Sequence, residues 1–434
     1  MNILAIIFSV LSVFILLGLL FKPKYGALLY IIYMYLAPWI YIGGFQIYSR
    51  TLAFIFLALF FVLFLGKYHL KDLKPLMPYT IFLLFNFFLL LFAERFTESL
   101  QWYMFAICDF FFILFLYVNI LNDRKVASLY KWTLYGVFCA ITAYGLFLTT
   151  IPGINPFKLM QMPLFGGEFN EAYAAGNSAL LGDTTIAEGR MFGRISSVFD
   201  HPMTYGLNLG FFLIFSLYIL KDKPKILYPT LLCIVIAVIT CGVRTAIAAL
   251  IITAIFALFY LHKVRYAWYG IVLFAVMVLI LPLISESAES YIASIFNSND
   301  SETQGSSLSM RLTQLEGCFD IVKDNPFFGK GYGWHYWFNA KFGAHPKALY
   351  FESLFFTILV ETGIVGFFTW GVFILKQSKF IKEFSQDRLY RCCLFSLMVY
   401  YLVYSLITGD MGIKNMMIFY VILVGVNLNK VKDK

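Results

Sequence analysis

Apolar runs of membrane-crossing length alternate with polar connections along the whole chain. A helix needs about 20 mostly apolar residues to cross the roughly 30 Å hydrocarbon core of a bilayer. Thirteen stretches read as candidate spans: 2–21, 25–45, 51–66, 76–93, 101–121, 129–151, 202–220, 226–242, 245–261, 266–285, 350–374, 391–408 and 413–429. The pattern predicts an all-α, polytopic transmembrane protein of about 12–13 spans. Residues 1–151 form an N-terminal membrane scaffold of about six spans, 152–201 a first long connection, and 202–285 the central spans. Residues 286–349 form a second, larger connection and 350–434 the C-terminal spans. The first run has no preceding basic residue and no small-residue cleavage site, so it reads as a retained span.

A different period marks the second long connection. Leu308, Leu312, Leu315, Phe319 and Val322 recur at alternating spacings of 4 and 3, which predicts an amphipathic helix ending before Pro326. Arg311 borders that apolar stripe, so its guanidinium can tuck toward whatever the helix packs on.

Composition strengthens the membrane reading. Hydrophobic residues make up 61% of the chain and charged residues 13%, and mean hydropathy is +0.79, well outside the range of a soluble domain. The formal charge of +9 could suggest nucleic acid, but its placement argues for topology instead. Every second connection collects the basic residues: Lys22 and Lys24; Lys67, Lys71 and Lys74; Arg124, Lys125 and Lys131; Lys221, Lys223 and Lys225; Lys263 and Arg265; Lys376, Lys379, Lys382, Arg388 and Arg391; Lys430, Lys432 and Lys434. These hold 21 of the 33 basic residues and should be cytoplasmic. Both long connections then face outward.

Outside, six arginines stand at positions 50, 95, 190, 194, 244 and 311, whereas lysine supplies 17 of the 21 inner cations. Topology does not require arginine over lysine. A planar fork that binds phosphate bidentately would favour it, and interfacial anchoring or pairing with nearby acids is the alternative. Among the other polar residues, Asp109 lies inside an apolar run and calls first for a helix–helix partner. Asp200-His201-Pro202 reads as a capped helix start, with Pro202 at a first helical position. The glycines of Phe327 to Trp334 read as a turn, since no strand precedes them as a phosphate-cradling loop requires. The seven cysteines form no disulfide framework and no metal-ligand spacing.

Three local patterns resemble the bacterial O-antigen polymerase and O-antigen ligase superfamily: GRISSVFDHPMTYG, the GVRTA hairpin around Arg244, and RLTQLEGCFDIVKDNPFFGKGYG headed by Arg311. A fourth departs from the ligase pattern. Ligases of that superfamily carry His followed by Asn, Ser or Gln, nine residues, then Gly-x-x-Gly. Here Ser353, Gly363 and Gly366 keep the frame, but Glu352 stands where the His would be, and His345 lies seven residues earlier. That departure resembles the polymerases.

The resemblance implies a metal-independent membrane glycosyltransferase that needs no cofactor. Its donor and acceptor would be oligosaccharides on undecaprenyl pyrophosphate, within membrane lipid, beside a flippase and a chain-length regulator. Arg194, Arg244 and Arg311, with Arg190 as a fourth, would bind the pyrophosphate and stabilise its charge as it leaves. Glu352 or His345 would serve as base for the attacking hydroxyl. Ligation onto lipid A-core shares this donor chemistry. Flipping of the same lipid would instead need charges lining a path through the spans, which are nearly free of them. Pro346 reads as a first helical residue, placing Glu352 about two turns below His345.

Overall fold

A computed structural model describes residues 21–36, 40–42, 45–47, 70–151, 155–157, 195–199, 201–266, 308–384, 387–408 and 412–431, with residues 10, 11, 13–15, 17, 18, 268, 269, 271 and 272 besides. The described chain is helical apart from one short hairpin. Helix α1 spans Pro23–Leu36. Strands β1 (Ile40–Ile42) and β2 (Phe45–Ile47) follow and pair antiparallel, with Tyr41 opposite Gln46. Of the expected span at 25–45, residues 25–36 are helical and the described remainder, 40–42 and 45, lies in the hairpin. Pro38 cannot continue a helical hydrogen-bond ladder, and the β-branched and aromatic residues around Gly43-Gly44 suit a hairpin. The expected span at 51–66 lies outside the described residues, as do most of 2–21 and 266–285.

The remaining helices are α2 (Met77–Leu89), α3 (Phe96–Asn122), α4 (Arg124–Leu148), α5 (Pro202–Ile219), α6 (Pro224–Thr240), α7 (Arg244–Tyr260), α8 (Leu308–Val322), α9 (Trp334–Phe342), α10 (Leu354–Phe384), α11 (Arg388–Ile407) and α12 (Ile413–Val431). Among the described residues, six segments are long and apolar enough to cross a membrane: Leu73–Phe92, Phe96–Leu121, Lys125–Leu148, Pro202–Ile219, Leu354–Ile381 and Arg388–Ile407. Shorter apolar helices occupy Pro224–Thr240, Arg244–Tyr260 and Ile413–Asn427. The chain is a multi-pass membrane protein.

Helix α5 is central, packed against α4, α6, α7, α11 and α12. Its start is set locally: Pro202 occupies the first turn, and His201 caps it by accepting the Met203 amide on Nδ1 at 3.1 Å. Tyrosines make up most of the largest fully buried side chains. Tyr400 donates to the Gly206 carbonyl at 2.9 Å and Tyr404 to that of Met203 at 2.5 Å. Away from water a buried hydroxyl must find an internal acceptor, so these bonds fix α11 against α5 as well as satisfying it.

Arg388 donates to the carbonyl of Tyr260 at 2.6 Å, joining the start of α11 to the end of α7. The two helices pack along their lengths, so they are antiparallel and Ile407 lies at the same end as Arg244. The opposite end gathers the basic connections. There Asp123 and Asp387 cap α4 and α11 and pair with Lys24 (2.7 Å) and Lys221 (3.5 Å). Asp109, within α3, pairs with Lys414 at the start of α12 at 2.8 Å, a helix–helix link inside the bundle.

Candidate functional site

Helix α10 is broken at Gly363, whose φ of 65° and ψ of −165° belong to a region essentially restricted to glycine. The break frees backbone groups, and the Pro326–Gly331 turn takes them up. Lys330 and Gly331 amides donate to the Val360 and Glu361 carbonyls, both at 2.8 Å. The Ile364 and Val365 amides donate back to Pro326 (2.9 Å) and Phe327 (3.1 Å). A Cβ on Gly329 (φ 70°) would strike the Val360 carbonyl oxygen and the Gly363 nitrogen. The glycine-rich stretch is thus a turn clamped into a helix break, and its Lys330 and Gly331 amides are spent on protein carbonyls. On its other side Glu94 binds it through its amide to the Lys330 carbonyl (2.9 Å) and its carboxylate to the Lys330 ammonium (3.2 Å).

Arg311 projects from α8 into the junction of three segments. Its Nη1 donates to Gln314 Oε1 at 3.1 Å and to the carbonyl of Glu352. Its Nη2 donates to the Ile407 carbonyl at the end of α11 at 2.6 Å and lies 3.3 Å from the Glu352 carboxylate. Next to Glu352, Ser353 and Leu354 dock on the same helix end, with the Leu354 amide donating to the Thr408 carbonyl at 3.0 Å. Burial pulls the guanidinium below its ordinary basicity and Glu352 opposes that pull; an arginine so placed stays charged.

The face of α8 that packs inward differs from the expected one. Gln314, Cys318 and Val322 are buried with Gly317, while Leu312 (58%) and Phe319 (55%) are exposed. Gly317 lets α8 approach the Lys347–Ala348 backbone, where a Cβ would meet the Ala348 nitrogen. Close approach through Gly317 and its buried neighbours sets the inner face, which keeps Val322 of the expected stripe and leaves Leu312 and Phe319 outside.

The 345–353 segment is not the start of a helix. His345 and Leu349 exchange backbone hydrogen bonds of 3.0 and 2.9 Å around a turn containing Pro346, and α10 begins only at Leu354. Leu349 (φ 50°) and Phe351 (φ 56°) adopt left-handed backbone, costly for side chains of this size. The expectation of two helical turns between His345 and Glu352 therefore fails: proline closes the turn instead of opening the helix. His345 Nδ1 accepts from the amides of Ala348 (3.0 Å) and Lys347 (3.3 Å). Burial holds its pKa below the ordinary imidazole value, Asp320 pulling upward and Lys347 downward. Lys347 in turn pairs with Asp320 of α8 at 2.6 Å on the surface.

Arg244 is the first residue of α7, at the end of the bundle where Arg311 meets Ile407. The structure thus brings Arg311 and Glu352 into contact and sets Arg244 at the same mouth. Arg190 and Arg194 lie outside the described residues, as does Arg50. Arg95 joins this face, stacked over Trp337 of α9 at 3.7 Å.

One pair was not anticipated. His335 Nδ1 lies 2.5 Å from Glu361 Oε1, with 7% and 2% of the two side chains exposed. The rings of His335 and Phe351 are 5.9 Å apart, one residue from Glu352. Tyr332, whose hydroxyl burial pushes well above its ordinary value, lies within electrostatic reach of Glu361 and of Asp109. The sequence signal was present as a His on a short aromatic helix and a Glu two residues before a glycine, but the spacing of 26 residues gives no local period.

These elements define a polytopic membrane protein with a polar, arginine-bearing cluster at one end of its bundle. Residues 229–371, from within α6 to within α10, match the family model described as O-antigen ligase. The matched stretch takes in Arg244, Arg311, His335, His345, Glu352 and Glu361. The family comprises membrane ligases and polymerases that transfer sugar polymers. No curated protein is similar enough to the chain to count as a relative.

Proposed function

We propose that this chain is a polysaccharide polymerase. It joins oligosaccharide repeat units carried on undecaprenyl pyrophosphate, at the outer face of the bacterial cytoplasmic membrane. The observation that carries the reading is the Arg311–Glu352 pair at the mouth, with a carboxylate where ligases resemble one another in a histidine. A hydroxyl of one lipid-linked unit attacks the anomeric carbon of the other, and undecaprenyl pyrophosphate leaves. Charge develops on that leaving group, and guanidinium groups at that end of the bundle stabilise it. Arg311 and Arg244 supply this, with Arg194 and Arg190 in the first outer connection as further ligands. Glu352, held against Arg311, orients the guanidinium in the resting site. An anionic donor competes for the same fork and leaves the carboxylate beside the reacting sugars.

Ligation onto lipid A-core is the second reading, and the family description itself favours it. Deleting the gene and resolving the surface glycan on a gel separates the two. Loss of the length ladder with a single capped repeat remaining supports polymerisation. Polymer retained on undecaprenyl carrier, with none on lipid A-core, supports ligation.

A further inference from the structure

We propose that His335 is the general base for the attacking sugar hydroxyl, with Glu361 holding its tautomer; this rests on the transfer reaction proposed above. On this assignment the hydrogen sits on Nδ1, which donates to Glu361 Oε1 at 2.5 Å. The lone pair is then on Nε2, which no described residue engages. Nor is the pair required to hold α9 in place. Four backbone hydrogen bonds already clamp the preceding turn into the break of α10. A buried carboxylate and imidazole are a costly way to add a fastening that exists. They do build the arrangement in which one acid orients a histidine toward a hydroxyl.

Position agrees with chemistry. The His335 ring is 5.9 Å from the ring of Phe351, whose left-handed backbone leads directly into Glu352 and its contact with Arg311. Through Phe351 the proposed base is thus linked to the segment that carries Glu352, whose carboxylate contacts the Arg311 guanidinium. In the step, the acceptor oxygen bonds to the anomeric carbon as the bond from that carbon to the pyrophosphate oxygen breaks. The hydroxyl proton passes to Nε2, the electron pair leaves with undecaprenyl pyrophosphate, and the imidazolium later releases its proton to water.

The titratable and charged groups around His335 are Glu361 of α10, Tyr332 of the turn, Tyr336 on its own helix, and His345 across Phe351. Arg95 and Lys341 lie over the neighbouring Trp337. The experiment measures chain extension by purified protein on lipid-linked repeats between pH 5 and 9, with donor binding measured separately. Wild-type rate should fall as pH drops, because a base acts only when deprotonated. His335→Gln should extend chains about 10²-fold more slowly, bind donor normally and lose that acid limb. The limb should persist in His345→Gln, and added imidazole should restore rate to His335→Ala. A His335→Gln protein with wild-type rate and limb overturns the assignment. If the variants do not fold, the wild-type profile decides: a rate independent of pH from 5 to 8 overturns it. A wild-type protein that extends no lipid-linked repeats defeats the transfer reading and takes this inference with it.

Discussion

The two ends of the bundle carry similar numbers of charges but use them differently. At the basic end, Lys24–Asp123 and Lys221–Asp387 keep 27–41% of each side chain exposed. At the other end, Arg311 is 15% exposed with four acceptors around it, and His335–Glu361 is almost sealed. Exposed pairs contribute about 0–1 kcal/mol and tolerate replacement. Buried charges are kept only where every partner is in place, so they mark geometry that the chain depends on. The contrast supports the proposed reading, in which the basic end orients the protein in the bilayer and the arginine end carries the chemistry.

The largest effect that can break this contrast is at Gly363. Gly363→Ala forces a side chain into backbone that only glycine adopts readily and aims its Cβ at the Phe327 carbonyl. We expect a loss of about 3 kcal/mol or more in stability, read as early thermal unfolding in detergent, with chain extension abolished. A protein with wild-type melting would mean that the turn and the helix break are not one unit.

Arg311→Lys comes next. Lysine keeps the charge but cannot hold Gln314, the Glu352 and Ile407 carbonyls and the Glu352 carboxylate from one planar fork. Chain extension should fall about 10²-fold. The same substitution at Arg244, followed in the same assay, tells whether the second guanidinium works at the mouth. Normal turnover in both would remove these arginines from the mechanism.

How much of this was legible beforehand follows from the physics of each feature. The described spans other than 25–45, the cap at His201, the helix from 308 and the turn before α9 follow from local periodicity, proline and glycine, which a single sequence displays. The face of α8 was misread because hydrophobicity says where a stripe lies and not whether protein or lipid covers it. The turn at 345–349 was misread because Pro346 suits a helix start and a tight turn equally. His335–Glu361 was invisible because it depends on a helix break satisfied by a segment some thirty residues away. Arg311 and Glu352 were singled out separately; their contact needed the fold.

A smaller effect separates the two histidines. The folded state favours neutral His345, whose Nδ1 accepts two amides. A lowered folded pKa means that the unfolded chain binds more protons. Its contribution is therefore complete above the ordinary value of 6.5 and lost as pH falls below it. Thermal stability of wild type should drop across that window. His345→Asn, which can offer an oxygen to the same amides, should flatten the drop while the acid limb of turnover remains. If the limb disappears with the stability slope, His345 and not His335 governs both.

The smallest effect tests the basic end. Asp123 caps α4 through the Lys125 amide and pairs with Lys24 at 2.7 Å, and the hydrogen bond from Lys24 is the main cause of its lowered pKa. A depressed carboxylate contributes stability above its ordinary value of 3.8 and loses it as pH falls through the folded value. The pair is therefore fully formed at neutral pH. It is also substantially exposed, so solvent and salt screen it, and Lys24→Met should cost less than about 1 kcal/mol. The Tyr130 hydroxyl still donates to the Lys24 backbone carbonyl at 2.9 Å, an attachment of α1 to α4 that the substitution leaves intact. Melting in detergent should shift by at most a few degrees, chain extension should match wild type, and raising salt should erase the remaining difference. A loss of turnover in Lys24→Met, with melting unchanged, would show that the two ends are coupled and that charge at the basic end does more than orient the chain.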